Sequence, residues 1–378
     1  MRRTTGILIL SVLILTALGM VMLASTSALQ GASMFKDPHY FVKRQAAALI
    51  VGLVGAVVAA RIRYHVWRRL AIVLAVVSAV LLFAVLIPGV GVAVKGSKRW
   101  ISLGVTTFQP SELAKIAMVF LLAWWVSHYV RRMKELWVGL AAPLLLVGVM
   151  LILVMGEPDY GTTTLLALVA FAMLWAGGTR FAPLFISGVM GASAMTLLVM
   201  HNPVRMRRII AFINPERYAD QEAFQLLNAI YAFVMGGSRG AGLGASLQKR
   251  FYLPEAHTDF IFAIIAEELG LVASLGVLLL FVVIFFCGLR ISSRAPDTFG
   301  RLMALGLTCM LAMQAAFNIG VVTGVLPTKG IALPFISYGG TSLVTSLAMV
   351  GLLLAVAREA GDDGDSALAV VRKQSGRF

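Results

Sequence analysis

The sequence predicts an all-α integral membrane protein of about ten transmembrane helices, with a large outer loop between helices 7 and 8. Three observations carry this expectation. Hydrophobic residues make up 60% of the 378, and the mean hydropathy is +0.90, far too apolar for a soluble chain of this length. The apolar residues gather into runs of about 20, the length that crosses hydrocarbon as a helix. Those runs are continuous rather than alternating, and hydrocarbon admits only helices and closed barrels, so helices are expected.

In chain order the candidate spans are 6–28, 45–61, 68–88, 111–130, 136–155, 160–178, 181–200, 260–288, 299–325 and 337–357. The first follows Arg2 and Arg3. Its apolar stretch outruns the core of a signal peptide and more spans follow, so it is expected to be retained. A basic turn with Arg61, Arg63, Arg68 and Arg69 joins the second and third. The fourth opens after Gln109-Pro110-Ser111, and the fifth follows Arg131, Arg132 and Lys134. The sixth begins at Glu157-Pro158-Asp159-Tyr160-Gly161; the seventh leads into the long loop 201–259. The eighth starts after Asp259, and the ninth and tenth flank a broken segment. Residues 1–358 thus form one integral domain, and 359–378 a short polar tail expected to be flexible. Ten spans put both termini on one side, and the short basic turns make that side cytoplasmic.

The formal charge of +15 sits at span ends, which points to lipid headgroups or an anionic substrate and not to nucleic acid. Arg205, Arg207, Arg208, Arg217, Arg239, Lys249 and Arg250 crowd the outer loop. Arginine forks match phosphate oxygens, so a phosphate-bearing substrate is the sharper reading. Cys287 and Cys309 both lie within spans and read as small buried hydrophobes.

Three connections stand out. The stretch 87–112 is too polar and glycine-rich to span and is expected at the outer surface, anchored by Trp100. Within the long loop, 222–235 has helical apolar spacing, suited to lying flat on the bilayer. Residues 235–244, MGGSRGAGLG, read as a flexible turn; they lack the Gly-Lys-Ser/Thr ending of a P-loop. The segment 318–342 contains Pro327, Pro334 and Gly330, and reads as a re-entrant turn lining a cavity, with Lys329 and Tyr338 as its polar members.

Asp259 is the leading candidate for chemistry. It follows Glu255, His257 and Thr258 and is expected in the first turn of a span. The helix end favours its anion while burial opposes it, a balance suited to accepting a proton from an attacking hydroxyl. An isolated Asp there would be an ordinary helix start; its neighbours argue for function. Glu112 and Lys115, three apart, can pair on one helical face, as a structural ion pair or beside a polar cavity. Glu157 and Asp159 can meet an outer arginine or a cation, or simply favour a helix start. At least one of Glu267 and Glu268 must face the bundle interior. Neither a Ser-His-Asp order nor HExxH is present.

The motifs GSKRWISLG (96–104), QPSELAK (109–115), EPDYGT (157–162), NPERY (214–218), LPEAHTDFIFAIIAEELG (253–270) and LPTKGIALPFISYGGTS (326–342) closely resemble those of the shape, elongation, division and sporulation family, the RodA/FtsW proteins. The Pro-Thr-Lys-Gly of the last resembles the division branch more than the elongation branch. The resemblance implies ten spans with both ends in the cytoplasm of a bacterial inner membrane. It also implies an inverting peptidoglycan glycosyltransferase that polymerises lipid II into β-1,4 glycan strands. It places the essential acid on Asp259, an ion pair on Glu112 and Lys115, an acidic position on Asp159 and a basic-aromatic segment on Lys98, Arg99 and Trp100. A class B penicillin-binding protein and other division proteins are the implied partners.

On this reading the substrate-binding residues are Lys98, Arg99, Glu112, Lys115, Asp159, Arg205, Arg208, Arg239, Glu255, His257 and Lys329. A divalent cation, Mg or Mn, would assist with the diphosphate, although the outer segments offer no DxD-type ligand set. The rival readings are a lipid II flippase, an elongation-type polymerase and a scaffold.

Overall fold

The computed structural model describes residues 1–375 except 95, 96, 103 and 105, with side chains described except at 93, 94, 251 and 362–375. Helices occupy all ten expected spans. They are α1 (Arg2–Phe35), α2 (Tyr40–Arg61), α3 (Tyr64–Leu86), α4 (Pro110–His128), α5 (Ala142–Gly156), α6 (Tyr160–Ala176), α7 (Phe181–Met200), α10 (Ile261–Ser293), α11 (Thr298–Val322) and α12 (Gly340–Ser375). A π-turn, Trp137–Ala141, extends α5 at its start. Among the described residues nine of these are long and apolar enough to cross a membrane. The exception is α6, whose 17 residues reach only about 26 Å. Most of the expected tail lies beyond the residues with described side chains.

Local sequence sets the helix starts. Pro110 opens α4, where its missing N–H costs nothing. Asp159 caps α6 by accepting from Thr162 N at 3.0 Å, and Asp297 caps α11 by accepting from Gly300 N at 2.7 Å. The bundle is centred on α4, buried from Ala114 to Ala123. By contrast α7 stands off, with Leu184 its one buried residue.

The outer connections differ from expectation in three ways. The 87–112 stretch folds as an antiparallel sheet in the order β1 (Gly91–Val94), β2 (Ser97–Ser102), β3 (Thr107–Phe108). The long loop contains an unforeseen helix, α8 (Pro203–Ile213), whose Asn202 cap accepts from Arg205 N at 3.3 Å. Its second helix, α9 (Phe224–Gly236), buries Leu226, Ala229 and Ala232, and Phe233 meets Phe262 of α10 at 5.9 Å between ring centroids. One face of α9 therefore packs on protein, while Tyr231, Val234 and Met235 stay exposed.

The glycine-rich turn is wedged against α10, its glycines serving tight turns and close approach. Helix α10 breaks its helical geometry at Gly270, with φ 79°. The freed backbone groups pair with the turn: Leu271 N donates to Gly237 O at 2.9 Å, Ala241 N to Glu267 O at 2.9 Å and Gly242 N to Glu268 O at 3.0 Å. Gly240 and Gly270 meet backbone to backbone, leaving no room for a Cβ on either. A kink in hydrocarbon persists only where its orphaned groups find such partners.

Both carboxylates just ahead of this kink are buried. Glu268 accepts from Lys249 Nζ at 2.7 Å, from Ser25 Oγ of α1 at 2.8 Å and from Gly244 N at 3.0 Å. Glu267 accepts from Ser246 Oγ and from Leu247 N at 2.8 Å. The expectation that at least one faces the interior is met by both.

Candidate active site

Asp259 sits in the turn immediately ahead of α10, not in the first turn of the helix. The segment 323–339, irregular as expected, is laced to this turn. Asn318 Nδ2 donates to Asp259 O at 2.8 Å and to Ile331 O at 2.7 Å. Ser337 Oγ donates to Thr258 O at 2.6 Å, and Tyr338 N to His257 O at 3.0 Å. Gln45 of α2 grips the far end, donating to Ser337 O at 3.1 Å and accepting from Gly339 N at 3.2 Å. Buried backbone without helical partners requires such ties.

The lacing brings the Asp259 side chain against Gly330, where a Cβ would lie 2.8 Å from Asp259 Oδ2. Glycine is needed there for close approach. Asp259 itself is partly buried. Glu255, at φ 61°, accepts from Thr258 Oγ1 at 3.0 Å and shapes the turn. His257 is buried between the rings of Phe41 (4.9 Å) and Tyr338 (5.7 Å).

Gly330 also lines a cavity of about 450 Å³. Arg99 of β2, Arg205 and Arg208 of α8, and Lys329 face it; Asp159 is its one acid among the described residues. Arg205 stacks on the Tyr160 ring, 3.5 Å from its centroid, and donates to Pro158 O at 2.7 Å. Arg99 donates to Glu157 O at 3.0 Å and to Pro158 O at 2.8 Å, and lies 3.7 Å from Asp159 Oδ2. Backbone carbonyls thus hold both guanidinium groups in place while their charge stays mostly unneutralised. Burial, then the neighbouring Arg205 charge, pushes the Lys329 ammonium below the usual lysine range. The cavity is built for an anion. Met195 and Val199 of the detached α7 form part of its wall, giving it an apolar side.

Beneath the arginines lies Glu157, fully buried, with neither carboxylate oxygen hydrogen-bonded. Burial and then the Asp159 charge raise it to about 8, against the pull of Arg99.

Glu112 and Lys115 pair as expected, at 2.8 Å and buried. They do not line the cavity. Lys115 Nζ donates to Gln314 Oε1 at 2.8 Å, and Gln314 Nε2 donates to Ala332 O at 2.9 Å. Their role here is to hold the segment that carries Lys329 and Gly330. Lys98 is exposed on β2, and Arg239 is exposed on the glycine wedge beside the α10 kink; neither is part of the cavity wall. Among the described residues no group of three or more His, Cys, Asp or Glu is placed to hold a metal. The donor set at the cavity, one carboxylate among four cations, does not fit a resident ion.

Sequence reasoning missed Tyr160, Gln314, Asn318 and Gln45. A signal existed for two of them, because Gln314 and Asn318 are amides four apart within an apolar span, where polar groups are costly.

Residues 6–361 match the FtsW, RodA and SpoVE family model, described as cell cycle protein. The chain is 44% identical over 348 residues to the probable peptidoglycan glycosyltransferase FtsW of Trichlorobacter lovleyi, covering 92% of this chain and 91% of that one. It is 40% identical over 352 residues to the stage V sporulation protein E of Bacillus subtilis, with 93% and 96% covered. A chain solved in work on the coordination of polymerization and crosslinking by a peptidoglycan synthase complex superposes with a TM-score of 0.77 at 28% identity, covering 93% and 97%.

Proposed function

The chain belongs to this family of cell cycle proteins, and we infer that it is the peptidoglycan glycosyltransferase of septal synthesis, polymerising lipid II at the outer face of the bacterial cytoplasmic membrane. One observation carries the reading. Asp259 packs on Gly330, and Gly330 lines a cavity bearing four cations. A proton acceptor thus stands directly behind the wall of a diphosphate cradle.

In the proposed step the acceptor sugar's 4-hydroxyl oxygen attacks the anomeric carbon of the donor. Its proton passes to Asp259. The bond from that carbon to the lipid-linked diphosphate breaks with inversion, and Arg99, Arg205, Arg208 and Lys329 stabilise the departing charge. The isoprenoid tail leaves the cavity along the apolar side formed by α7. A divalent cation, if used, arrives with the diphosphate.

Both termini lie in the cytoplasm on this reading. The partner is a class B penicillin-binding protein supplying the transpeptidase, a reading supported by the likeness to a chain from work on polymerization and crosslinking by a peptidoglycan synthase complex. A flippase needs a polar path joining the two faces, whereas the cavity beside Asp259 and the arginine-rimmed cavity at the opposite end share no lining residue.

Purified protein with its partner, given labelled lipid II in detergent, tests the assignment. Asp259→Asn should lower polymer formation by about 10²–10⁴-fold, the usual worth of a positioned base. Full polymer from that variant would remove Asp259 from the mechanism. Wild-type protein that binds lipid II yet makes no polymer would favour the flippase.

A further inference from the structure

A second cavity, of about 1140 Å³, opens at the end of the bundle opposite Asp259, between α1, α2 and α12. Its rim carries Arg2, Arg3, Arg61, Arg290 and Arg358. All five are exposed, and among the described residues none is in an ion pair. Arg358 alone makes a described side-chain bond, donating to Arg61 O at 3.1 Å. The adjacent acid, Glu359, is turned to His65 at 3.1 Å.

Below the rim and its neighbours Thr4 and Thr5 the wall is aliphatic. Ile9 and Leu13 of α1 and Leu53 and Val57 of α2 are exposed, and Val350 of α12 forms the floor. From Arg3 to Leu13, and from Arg358 to Leu347, the groove runs ten or eleven residues along each helix, or about 15 Å at the helical rise. That is half the hydrocarbon thickness, the depth of one leaflet.

We propose that this cavity is a binding site for an anionic phospholipid of the leaflet facing the termini, with its phosphate among the five arginines and an acyl chain in the aliphatic groove. The two halves of the site argue together. A soluble phosphate would satisfy the rim and leave the groove empty. A zwitterionic lipid would fill the groove but bring its own cation to a rim already rich in positive charge. Only an acidic lipid answers both, and basic pockets between spans are suited to such headgroups. The site is separate from the catalytic cavity, so its occupancy bears on the stability and membrane preference of the bundle.

Thermal unfolding of the full-length purified protein, titrated with cardiolipin, phosphatidylglycerol, phosphatidylcholine or inorganic phosphate, provides the test, with native mass spectrometry to count bound lipid. The two acidic lipids should raise the midpoint by several degrees and saturate; the other two should not. Arg3→Gln with Arg61→Gln and Arg358→Gln should weaken acidic-lipid binding at least tenfold. Leu13→Trp with Val57→Trp, which fills the groove and leaves the arginines intact, should weaken it to a similar degree. Equal stabilisation by phosphatidylcholine, or undiminished binding by the groove-filled variant, would overturn the proposal. So would no acidic-lipid effect on the full chain.

Discussion

Two irregular segments enter this bundle, and they are held by opposite chemistry. The glycine wedge before α10 is fixed by buried carboxylates: Glu268 on Lys249 and Ser25, Glu267 on Ser246 and backbone N–H groups. The segment 323–339 is fixed mostly by neutral amides and a hydroxyl: Gln45, Gln314, Asn318 and Ser337. The first lies away from the catalytic cavity, the second beside Asp259. Neutral ties fix backbone without adding charge near a carboxylate that must exchange a proton. Where position alone matters, full charges serve.

The contrast can be broken at several points. The largest stability loss should come from Lys249→Met, which strands Glu268 without its cation. Removing one member of a buried pair costs about 3–5 kcal/mol, seen as a sharply lowered unfolding midpoint. The paired change with Glu268→Gln should recover much of it. Gly330→Ala should do less to stability but cut polymerisation by about tenfold or more, because its Cβ displaces the Asp259 carboxylate. Gln314→Leu removes two bonds, the neutral one to Ala332 O and the one accepted from the buried Lys115 ammonium, together worth about 2–4 kcal/mol. It should lower both the midpoint and polymer yield; an unchanged yield would mean that the segment holds its place unaided.

The smallest effect concerns Glu157, a charge handled a third way, by keeping its proton. Its raised folded value, about 8, means that the folded protein binds a proton the unfolded chain releases near pH 4.5. Its contribution is therefore fully present below that unfolded value, declines as pH rises, and is gone above about 8. Glu157→Gln should flatten this part of the pH profile and raise the midpoint by a few degrees at pH 8.5, measured by thermal unfolding across pH.

The spans were legible because run length is a local property of the chain, and hydrocarbon demands it. Asp259 was legible for a related reason: a carboxylate at the edge of an apolar run stands out. The kink at Gly270 was not, because its partners lie some thirty residues earlier, at Gly237 and Ala241. Among the basic residues, Arg205, Arg208 and Lys329 meet in the cavity, whereas Arg239 is carried away by the wedge. A cluster of arginines in sequence says that phosphate can be bound; it does not say which way each turn of a loop faces. Glu112 and Lys115 were paired correctly, yet their reach through Gln314 to Ala332 depends on a helix some 200 residues later.

The bond from Ser25 to Glu268 spans 243 residues, which bears on how the molecule is made. The leading helix enters the bilayer early in synthesis, yet its hydroxyl finds this carboxylate only once the eighth apolar helix has emerged. Until then α1 can be held only by neighbours such as α2. Translation stalled before residue 268 should therefore leave the amino-terminal helix loosely seated and open to membrane proteases, and release of the stall should protect it.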